Sequence, residues 1–413
     1  MSDGGRAASP RRAAGVLAAV ATANLVVAAM QFGIGAAAPA LRSDLGLTTQ
    51  QLGFVLAGAP AGLMLGTYGW GVLADHASER RVLTAAFLGF AAASLATAWA
   101  AGARHAVPLT LLLLLTNFFG SATHSAGGRA ISAVFPRHQH GTVLSIRHTA
   151  IPIGGVVGGL AVPAAVQRAG FDAALVGFAV AGLMVAIALW AALAHVEVVQ
   201  RASDGTADAA RGRTPLRSRA LWLLAIGCSS VAFVQLGIAS FLTVQLVDDS
   251  RITLETAALV FAGAQLAGAV GRVVLGIWSD QVRDRIVLLR GVFAGVLVLV
   301  GGAVVATNPR VDGALLTLIL VLATVWQGVG VAAAASLAPA GRTGSTLGMQ
   351  TTLNAAAFTI APIVFGVVLH HGGWTSVELL LAVMVLLSIT ALTAVIRGRG
   401  RAALRLPIPS VTE

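Results

Sequence analysis

The chain has 413 residues, of which 57% are hydrophobic and 10% are charged, and its formal net charge is +11 at pH 7. A mean hydropathy of +0.86 excludes an ordinary soluble domain and is typical of a protein that lies mostly in a membrane. The positive charge does not indicate nucleic-acid binding, because no soluble basic domain carries it; membrane lipids are the expected contact.

Apolar runs long enough to cross the hydrocarbon core as helices recur along the whole chain. Twelve are predicted, at about residues 14–40, 52–73, 82–101, 108–134, 141–166, 173–195, 220–246, 255–278, 286–306, 313–337, 345–370 and 375–396. The polar segment 196–219 predicts a flexible linker between the sixth and seventh spans. The expected domains are a tail (1–13), a six-helix bundle (14–195), the linker, a second six-helix bundle (220–396) and a tail (397–413).

The two predicted bundles repeat each other in sequence. Residues 57–75 align with 262–280 at an offset of 205, sharing Gly66/Gly271, Gly71/Gly276 and Asp75/Asp280 among other identities. Residues 141–149 align with 344–352 at an offset of 203. Such a repeat predicts a duplicated transporter. The predicted fold class is therefore an all-α membrane protein with twelve transmembrane helices in two pseudo-symmetric bundles.

Arginine placement predicts the orientation. Every one of the 27 Lys and Arg residues is Arg. With the N-terminus in the cytoplasm, 19 of them fall on the inside and five in outside loops, which is a strong positive-inside bias. We therefore expect a multi-pass protein of the cell (inner) membrane, with both termini and the linker in the cytoplasm. The single cysteine, Cys228, excludes an intrachain disulfide.

The loop after the second span carries a motif, GVLADHASERR (71–81), whose second copy is GIWSDQVRDR (276–285). The first copy resembles the loop motif of the major facilitator superfamily. Residues 135–155 are similar to a bacterial pattern within that superfamily, carried by cyanate-permease-like groups. An aspartate at a helix end can face the positive N-terminus of a neighbouring helix. We therefore expect a gate on the cytoplasmic side built from Asp75, Arg80, Asp280 and Arg285.

Charges within the predicted spans indicate the substrate. All sixteen acidic residues lie in tails, loops or span ends, whereas Arg129, Arg147 and Arg272 lie inside spans. A buried arginine is costly unless it meets a partner or water, and no intramembrane carboxylate is expected as that partner. An anionic substrate would fill the role. For the two shallower residues, Arg129 and Arg147, a structural role in the cytoplasmic gate is favoured over substrate contact.

Arg272 lies in the pattern R-x-x-x-G-x-x-S-D, which ends at Asp280. This resembles the eighth span of oxalate/formate and monocarboxylate porters, and the resemblance implies that Arg272 engages a substrate carboxylate. The second basic residue of the oxalate porters is missing from the eleventh span, which favours a monoanion. The alternative is that Arg272 bonds helix-end carbonyls or Asp280 itself.

Polar residues on helix faces complete the predicted site, because amides that face lipid would lack partners. With Arg272, the candidate substrate-binding residues are Asn24, Gln31, Asn117, His124, Gln235, Gln350 and Asn354. His124 and His148 are candidates for proton coupling. The alternative for these side chains is hydrogen bonding between helices. The glycine-rich run 154–159 predicts close helix packing.

These observations predict a secondary transporter that moves a small organic anion, such as a monocarboxylate, by rocking the halves about a midplane site. The alternative in the same fold is an exporter of drug-like or amphipathic metabolites, whose cavity Met30, Phe32, Phe233 and Trp326 would line. An enzyme or receptor is a third alternative, for which no paired nucleophile and base or large sensing segment is found. We expect a monomer with no cofactor and no metal.

Overall fold

The computed structural model describes residues 10–102, 106–136, 140–194, 217–282, 284–339 and 343–403, and in this part of the chain it contains helices and turns but no strand. The helices are α1 (Pro10–Ala36), α2 (Ala38–Leu45), α3 (Thr49–His76), α4 (Glu79–Gly102), α5 (Ala106–Gly120), α6 (Ala122–Val134), α7 (His140–Ala169), α8 (Phe171–Ala192), α9 (Arg219–Val244), α10 (Leu254–Gln281), α11 (Arg285–Val305), α12 (Pro309–Leu322), α13 (Gln327–Leu337) and α14 (Thr343–Ala403). A π-helical turn, Gln245–Asp249, continues α9; we refer to it as the π-turn.

The described helices fit twelve membrane crossings. Ten segments are long and apolar enough to span a membrane, and α3 adds a further 28-residue helix. The 61 residues of α14 include a break at Gly373, where φ is 67°. At about 1.5 Å per residue they would extend roughly 90 Å, three times the hydrocarbon thickness. Therefore α14 crosses twice, in agreement with the separate spans predicted at 345–370 and 375–396.

Two predicted spans are interrupted where the sequence predicted continuous helices. The predicted span 108–134 divides into α5 and α6 at Ser121, whose hydroxyl donates to the Phe118 carbonyl oxygen at 2.7 Å. The predicted span 313–337 divides into α12 and α13, and Thr324 donates to the Leu320 carbonyl oxygen at 2.7 Å in that interval. Hydroxyl side chains that bond the preceding turn compete with the helix hydrogen bonds and bend the helix.

The first predicted span extended too far. The sequence predicted a helix over 14–40, but α1 begins at Pro10 and ends at Ala36. The chain then starts the short helix α2, which has Pro39 in its first turn. Proline favours the first turn of a helix because it has no backbone N–H to leave unpaired. The apolar composition continues across this junction, which is why it was not visible in the hydropathy pattern.

Polar caps fix where several helices begin. Thr48 accepts from the Gln51 backbone N–H at 3.2 Å while Gln51 Oε1 accepts from the Thr48 N–H at 2.9 Å, which forms a capping box before α3. Single side-chain caps precede four helices of the second half: Ser218, Thr253, Asp284 and Asn308. These residues satisfy N–H groups that a helix end would otherwise leave free.

Close packing holds each half together, and glycine makes it possible. In the first half, α1 lies along α7, and a Cβ on Gly158 would overlap the carbonyl oxygen of Ala29. Gly154 meets the Leu25 carbonyl oxygen in the same way, one turn earlier on α7. The glycine-rich run therefore packs two backbones together, as the sequence predicted.

The halves, α1–α8 and α9–α14, meet chiefly through two helix pairs, α3 with α14 and α7 with α10. The two pairs are equivalent under the sequence repeat, because the offset of 205 relates α3 to α10 and the offset of 203 relates α7 to the first part of α14. Gly53 on α3 lies against Pro362 on α14, and Gly159 on α7 lies against Phe261 on α10. The repeat thus appears in the structure as a pseudo-symmetric interface.

We call the side on which α1 begins and α14 ends the tail face, and the other side the opposite face. At the opposite face, Arg42 of α2 forms an ion pair with Asp248 of the π-turn. Nearby, the Thr243 hydroxyl of α9 donates to the Gly35 carbonyl oxygen of α1 at 3.0 Å. Both contacts join one half to the other, so the opposite face is closed in this structure.

Candidate functional site

The contact between α7 and α10 positions a group of basic side chains. A Cβ on Gly155 would lie 2.7 Å from Gln265 Nε2, so these two residues mark the same depth on the two helices. His148 lies seven residues before Gly155, and Arg272 lies seven residues after Gln265. The two helices run in opposite directions, so both side chains lie about 10 Å closer to the tail face than this contact. They therefore come from different halves to one level.

Four residues form what we call the basic cluster: His124 of α6, Arg147 and His148 of α7, and Arg272 of α10. Arg147 Nη2 donates to the His124 carbonyl oxygen at 3.4 Å. His148 interacts electrostatically with Arg147 and with Arg272, and His124 with Arg147 and His148. Gly128 leaves room for this arrangement, because a Cβ there would lie 2.9 Å from Arg147 Nη1.

The two arginines of the basic cluster lack an acidic partner among the described residues. Arg147 is 3% exposed, and its Nε has no hydrogen-bond acceptor. Arg272 Nη2 donates to the Thr324 carbonyl oxygen at 3.2 Å, but its Nε is also without an acceptor. Two cations at membrane depth with free donors are energetically unfavourable unless an anion or water joins them.

The basic cluster occupies only one of the two pseudo-equivalent helix pairs. The offset of 203 relates Arg147 to Gln350, and the offset of 205 relates Arg272 to Thr67. Arg147 and Gln350 are buried to the same extent, each 3% exposed. The fold therefore accommodates a neutral residue at each equivalent position, so the charge is not a requirement of the architecture.

The remaining intramembrane arginine has a different environment from the one predicted. Arg129 Nε donates to Glu79 Oε1 at 3.1 Å. Glu79, in the first turn of α4, is 3% exposed. The expectation that Arg129 has no carboxylate partner is wrong, because the sequence assigned Glu79 to an exposed loop. This pair ties α4 to α6 and agrees with the structural role favoured for Arg129.

The predicted polar residues of the first half lie at several places. Asn24 is buried, 2% exposed, and neither amide atom has a partner. Asn117 is buried and donates to the Leu113 carbonyl oxygen at 3.0 Å, while its Oδ1 is unpartnered. Gln31 lines a narrow crevice with Ser240 and Leu236 of α9, between the halves. Of these three, only Gln31 is placed at the interface between the halves.

The predicted polar residues of the second half contact other side chains of that half. Asn354 Oδ1 accepts from the Ser229 hydroxyl at 2.9 Å. Gln235 Oε1 accepts from Gln327 Nε2 at 3.3 Å. Gln350 is buried beside Cys228. These contacts join α9 to α13 and α14, and none of them involves Arg272 of α10.

Of the predicted gate residues, Asp280 and Arg285 form a pair, whereas Arg80 contacts a different partner within the described part of the chain. Arg285 Nη2, at the start of α11, donates to Asp280 Oδ1, near the end of α10, at 3.0 Å, and the Asp280 side chain is 75% exposed. The Arg80 guanidinium lies 3.5 Å from the centre of the Trp190 ring, and Arg80 Nε donates to the Trp190 carbonyl oxygen at 3.0 Å. The side chain of Asp75 lies outside the described residues. A gating role for these residues stays a prediction.

The side chains that the drug-export alternative needs are mostly part of the packed core. Met30 is 0% exposed, Trp326 1% and Phe233 6%. Phe233 contacts the Phe365 ring at a centroid distance of 5.7 Å, and Trp326 contacts Phe293 at 6.4 Å. Phe32 is half-buried. An apolar cavity lining is therefore not built from these residues in this structure.

Sequence reasoning missed the buried carboxyl groups at the opposite face. Asp312 in the first turn of α12 is 7% exposed, and Glu378 on the second part of α14 is 3% exposed. Both were assigned to span ends, where acidic residues are usually hydrated. The available signal was an acid inside the first turn of an otherwise apolar helix. No group of three or more metal-ligating side chains occurs within the described ranges.

Comparisons with known proteins support a transporter. A family profile described as Major Facilitator Superfamily matches residues 20–338. The chain is similar to an uncharacterised MFS-type transporter of Mycobacterium tuberculosis, with 29% identity over 356 residues, covering 84% of this chain and 78% of the relative. It is also similar to a gallate transporter of Pseudomonas putida, with 24% identity over 305 residues, covering 65% of this chain and 66% of the relative.

Solved structures show the same fold at low sequence identity. A bacterial homologue of the human lysosomal transporter Spinster, in an inward-facing and occupied conformation, superposes with a TM-score of 0.78 at 14% identity, covering 97% of this chain and 100% of that chain. A D-xylose–proton symporter superposes with a TM-score of 0.71 at 14% identity, covering 92% of this chain and 96% of that chain.

Proposed function

The chain belongs to the Major Facilitator Superfamily of membrane transporters, and from this premise we propose that it carries a small organic anion, with a monocarboxylate as the favoured class. The observation that carries the proposal is the basic cluster between the halves. It groups two arginines and two histidines, of which His148 and Arg272 meet from different halves at one level of the interface. Neither arginine has an acidic partner among the described residues.

The basic cluster has the donors that a carboxylate needs. An arginine can present two parallel N–H donors to one carboxylate, and such charge-assisted hydrogen bonds are stronger than neutral ones. The unpartnered Nε atoms of Arg147 and Arg272 are donors that water or a ligand would satisfy. A transported anion would thus supply the negative charge that the protein itself does not.

The basic cluster has members in both halves, which supports alternating access centred on it. Arg272 belongs to one half, while His124, Arg147 and His148 belong to the other. An anion between them would contact both halves at once. Rocking of one half against the other would then change the contacts of the anion and its access to either side of the membrane.

A relative adds support for the class of substrate. The similar protein of Pseudomonas putida is named as a gallate transporter, and gallate is a carboxylate anion. We therefore include aromatic as well as aliphatic monocarboxylates in the proposed class.

We assign the tail face to the cytoplasm. The positive-inside bias of 19 arginines against five supports this orientation. The closed opposite face then makes the present structure inward-facing. Coupling to protons through His124 or His148 stays a prediction; both residues belong to the basic cluster.

Uptake into proteoliposomes tests the proposed function. Radiolabelled gallate, benzoate and an aliphatic monocarboxylate would be compared with the neutral sugar D-xylose, with and without an imposed pH gradient. We expect saturable uptake of at least one monocarboxylate and none of the sugar above protein-free vesicles. Uptake of the sugar with no uptake of any monocarboxylate would contradict the proposal.

A further inference from the structure

The second half contains a pair of buried acidic groups that the anion site does not use. Asp312 of α12 is 7% exposed and Glu378 of α14 is 3% exposed. Their side chains interact directly with each other. They lie at the opposite face, whereas the basic cluster lies toward the tail face.

Two carboxylates cannot form a hydrogen bond with each other, because each is only an acceptor when ionised. A buried pair in contact therefore holds at least one proton between its members. The Oδ1 atom of Asp312 is buried and receives no donor from the protein. The hydroxyl of a protonated Glu378 would supply the missing donor.

The other side of Asp312 is attached to the π-turn. Gln245 is the first residue of that turn. Its Nε2 donates to Asp312 Oδ2 at 3.0 Å and to the Pro309 carbonyl oxygen at 2.8 Å. Gln245 Oε1 accepts from the Ser250 hydroxyl at 3.2 Å. Three residues after Gln245, the same turn presents Asp248 to Arg42 of the first half.

The charged surroundings leave this proton without a competing base among the described residues. Asp248 is occupied by Arg42, and Asp249, which interacts electrostatically with Asp312, accepts from Trp374 Nε1 at 2.8 Å. At the opposite face, the other titratable or charged groups on the packed elements are exposed: Arg251, Glu255, Arg310, His370 and His371.

We propose that Asp312 and Glu378 form a proton-binding site that controls closure of the opposite face. With the proton bound, the pair holds Gln245 and the π-turn in place, and Asp248 reaches Arg42. When the proton leaves, two negative charges repel each other in a buried setting. The pair separates, the π-turn loses its anchor, and the ion pair between the halves breaks.

This inference rests on the proposed alternation of the two halves, and it fixes the direction in which pH changes the closure of the opposite face. Low pH at the opposite face favours the closed arrangement seen here, and high pH favours opening. If one proton is released on opening, the ratio of open to closed molecules rises up to about tenfold per pH unit. Acid outside would thereby drive a loaded transporter toward the cytoplasm.

The first test detects the proton itself. Infrared difference spectra of the membrane-reconstituted protein between low and high pH report protonated carboxyl groups by their C=O stretching band. Glu378→Gln should remove one such band relative to the wild type. The matched control is Glu255→Gln, which removes an exposed carboxylate from the same face. Identical difference spectra for the Glu378 and Glu255 variants would overturn the proposal.

The second test measures closure without any substrate. Spin labels on Ser43→Cys and Thr375→Cys, both exposed at the opposite face, report the distance between the halves. The native Cys228 is buried, and the protein without introduced cysteines controls for its labelling. In the wild type the fraction of long distances should rise with pH. In Glu378→Gln the distances should stay short at every pH, because the amide can donate to Asp312 permanently.

A second variant keeps the proposal testable if Glu378→Gln does not fold. Asp312→Asn places the amide on the other partner, where it can donate to Glu378, and it should also remove the pH response. Wild-type pH dependence in both variants would refute the proton site. Failure of anion transport leaves these two readouts unaffected, so the proton site and the proposed function fail separately.

Discussion

The nitrogens of the Arg272 guanidinium differ in their hydrogen bonding: one is bonded within the protein and another has no acceptor. Its Nη2 bonds the Thr324 carbonyl oxygen in the break between α12 and α13, while its Nε has no acceptor. The sequence left open that Arg272 bonds a helix-end carbonyl. One nitrogen makes such a bond, and Nε does not. The alternative of a bond to Asp280 is not met, because Asp280 pairs with Arg285. One bond fixes the side chain and leaves other donors for a ligand.

Replacing Arg272 by lysine tests whether its guanidinium binds the substrate anion. Arg272→Lys keeps the charge but loses the planar pair of donors. We expect anion affinity to fall about tenfold or more, since hydrogen bonds to charged groups contribute roughly 1.5–3 kcal/mol each. Equilibrium binding of a labelled monocarboxylate to purified protein measures this. The control is Arg310→Lys, an exposed arginine at the opposite face, which should bind normally; equal affinity in both variants would argue against the contact.

At the scale of elements, close backbone packing sets how α1 meets α7. Gly158 lies against the backbone of Ala29, and there is no room for a Cβ. Transmembrane helices attract each other mainly through such packing, because lipid and protein interior are equally apolar.

Gly158→Ala should therefore destabilise the first half by about 1–3 kcal/mol, the usual cost of overpacking. Thermal unfolding in detergent would show a lowered midpoint. Gly177→Ala provides the matched control, since nothing lies within 4 Å of a Cβ at Gly177. If both variants unfold at the same temperature, the α1–α7 contact is looser than described.

The ion pair between α4 and α6 makes a second prediction at this scale. Glu79→Gln removes the negative charge from the buried end of this pair and keeps a side chain of similar size. We expect a loss of about 1–2 kcal/mol, less than for a fully buried pair because the Arg129 side chain is 36% exposed. The same unfolding assay measures it, with Glu255→Gln as the exposed control. A midpoint unchanged from the wild type would show that the pair contributes no net stability.

Much of the element order was predictable because a span needs a long apolar run, which hydropathy shows directly. The residues at helix breaks were harder to predict. Ser121 and Thr324 lie inside apolar runs, and their effect depends on hydroxyl bonds to the preceding turn. The end of α1 at Ala36 was missed because the apolar run continues into α2.

At the scale of the whole molecule, the two halves close the opposite face through polar links that the sequence could not pair. Arg42 and Asp248 lie 206 residues apart and each is near the end of a helix. Their ion pair is half-exposed, with side chains 28% and 31% exposed. A pair in that setting contributes less than about 1 kcal/mol, which suits a contact that must break in each transport cycle.

Arg42→Gln should therefore increase opening of the opposite face by about two- to fivefold. Ser240→Cys reports it, because Ser240 lines the crevice between the halves and is 6% exposed. The measurement is the rate of labelling by a membrane-impermeant maleimide. Protein carrying only the buried Cys228 should stay unlabelled. An unchanged labelling rate would show that the ion pair does not hold the halves together.

The basic cluster illustrates what the sequence leaves open at this scale. Arg272, His148 and His124 were each candidates, but only the meeting of α7 with α10 shows that they lie together. Arg147 was favoured for the gate, yet it belongs to this group and not to a contact with the predicted gate residues. The polar residues Gln350 and Asn354 were expected at the site, but they contact Cys228 and Ser229 of α9 rather than Arg272. Long-range pairing of helices decides such questions, and apolar periodicity does not encode it.

The central claim is that a negative charge on the substrate is recognised between the two halves by the basic cluster. The most direct measurement is equilibrium binding of benzoate and of its neutral isostere benzamide to the purified wild-type protein and to Arg272→Gln. We expect the wild type to prefer the carboxylate by about tenfold or more, and we expect the variant, confirmed to be folded, to lose this preference. Equal affinity of the wild type for the two ligands, or an unchanged preference in the variant, would contradict it.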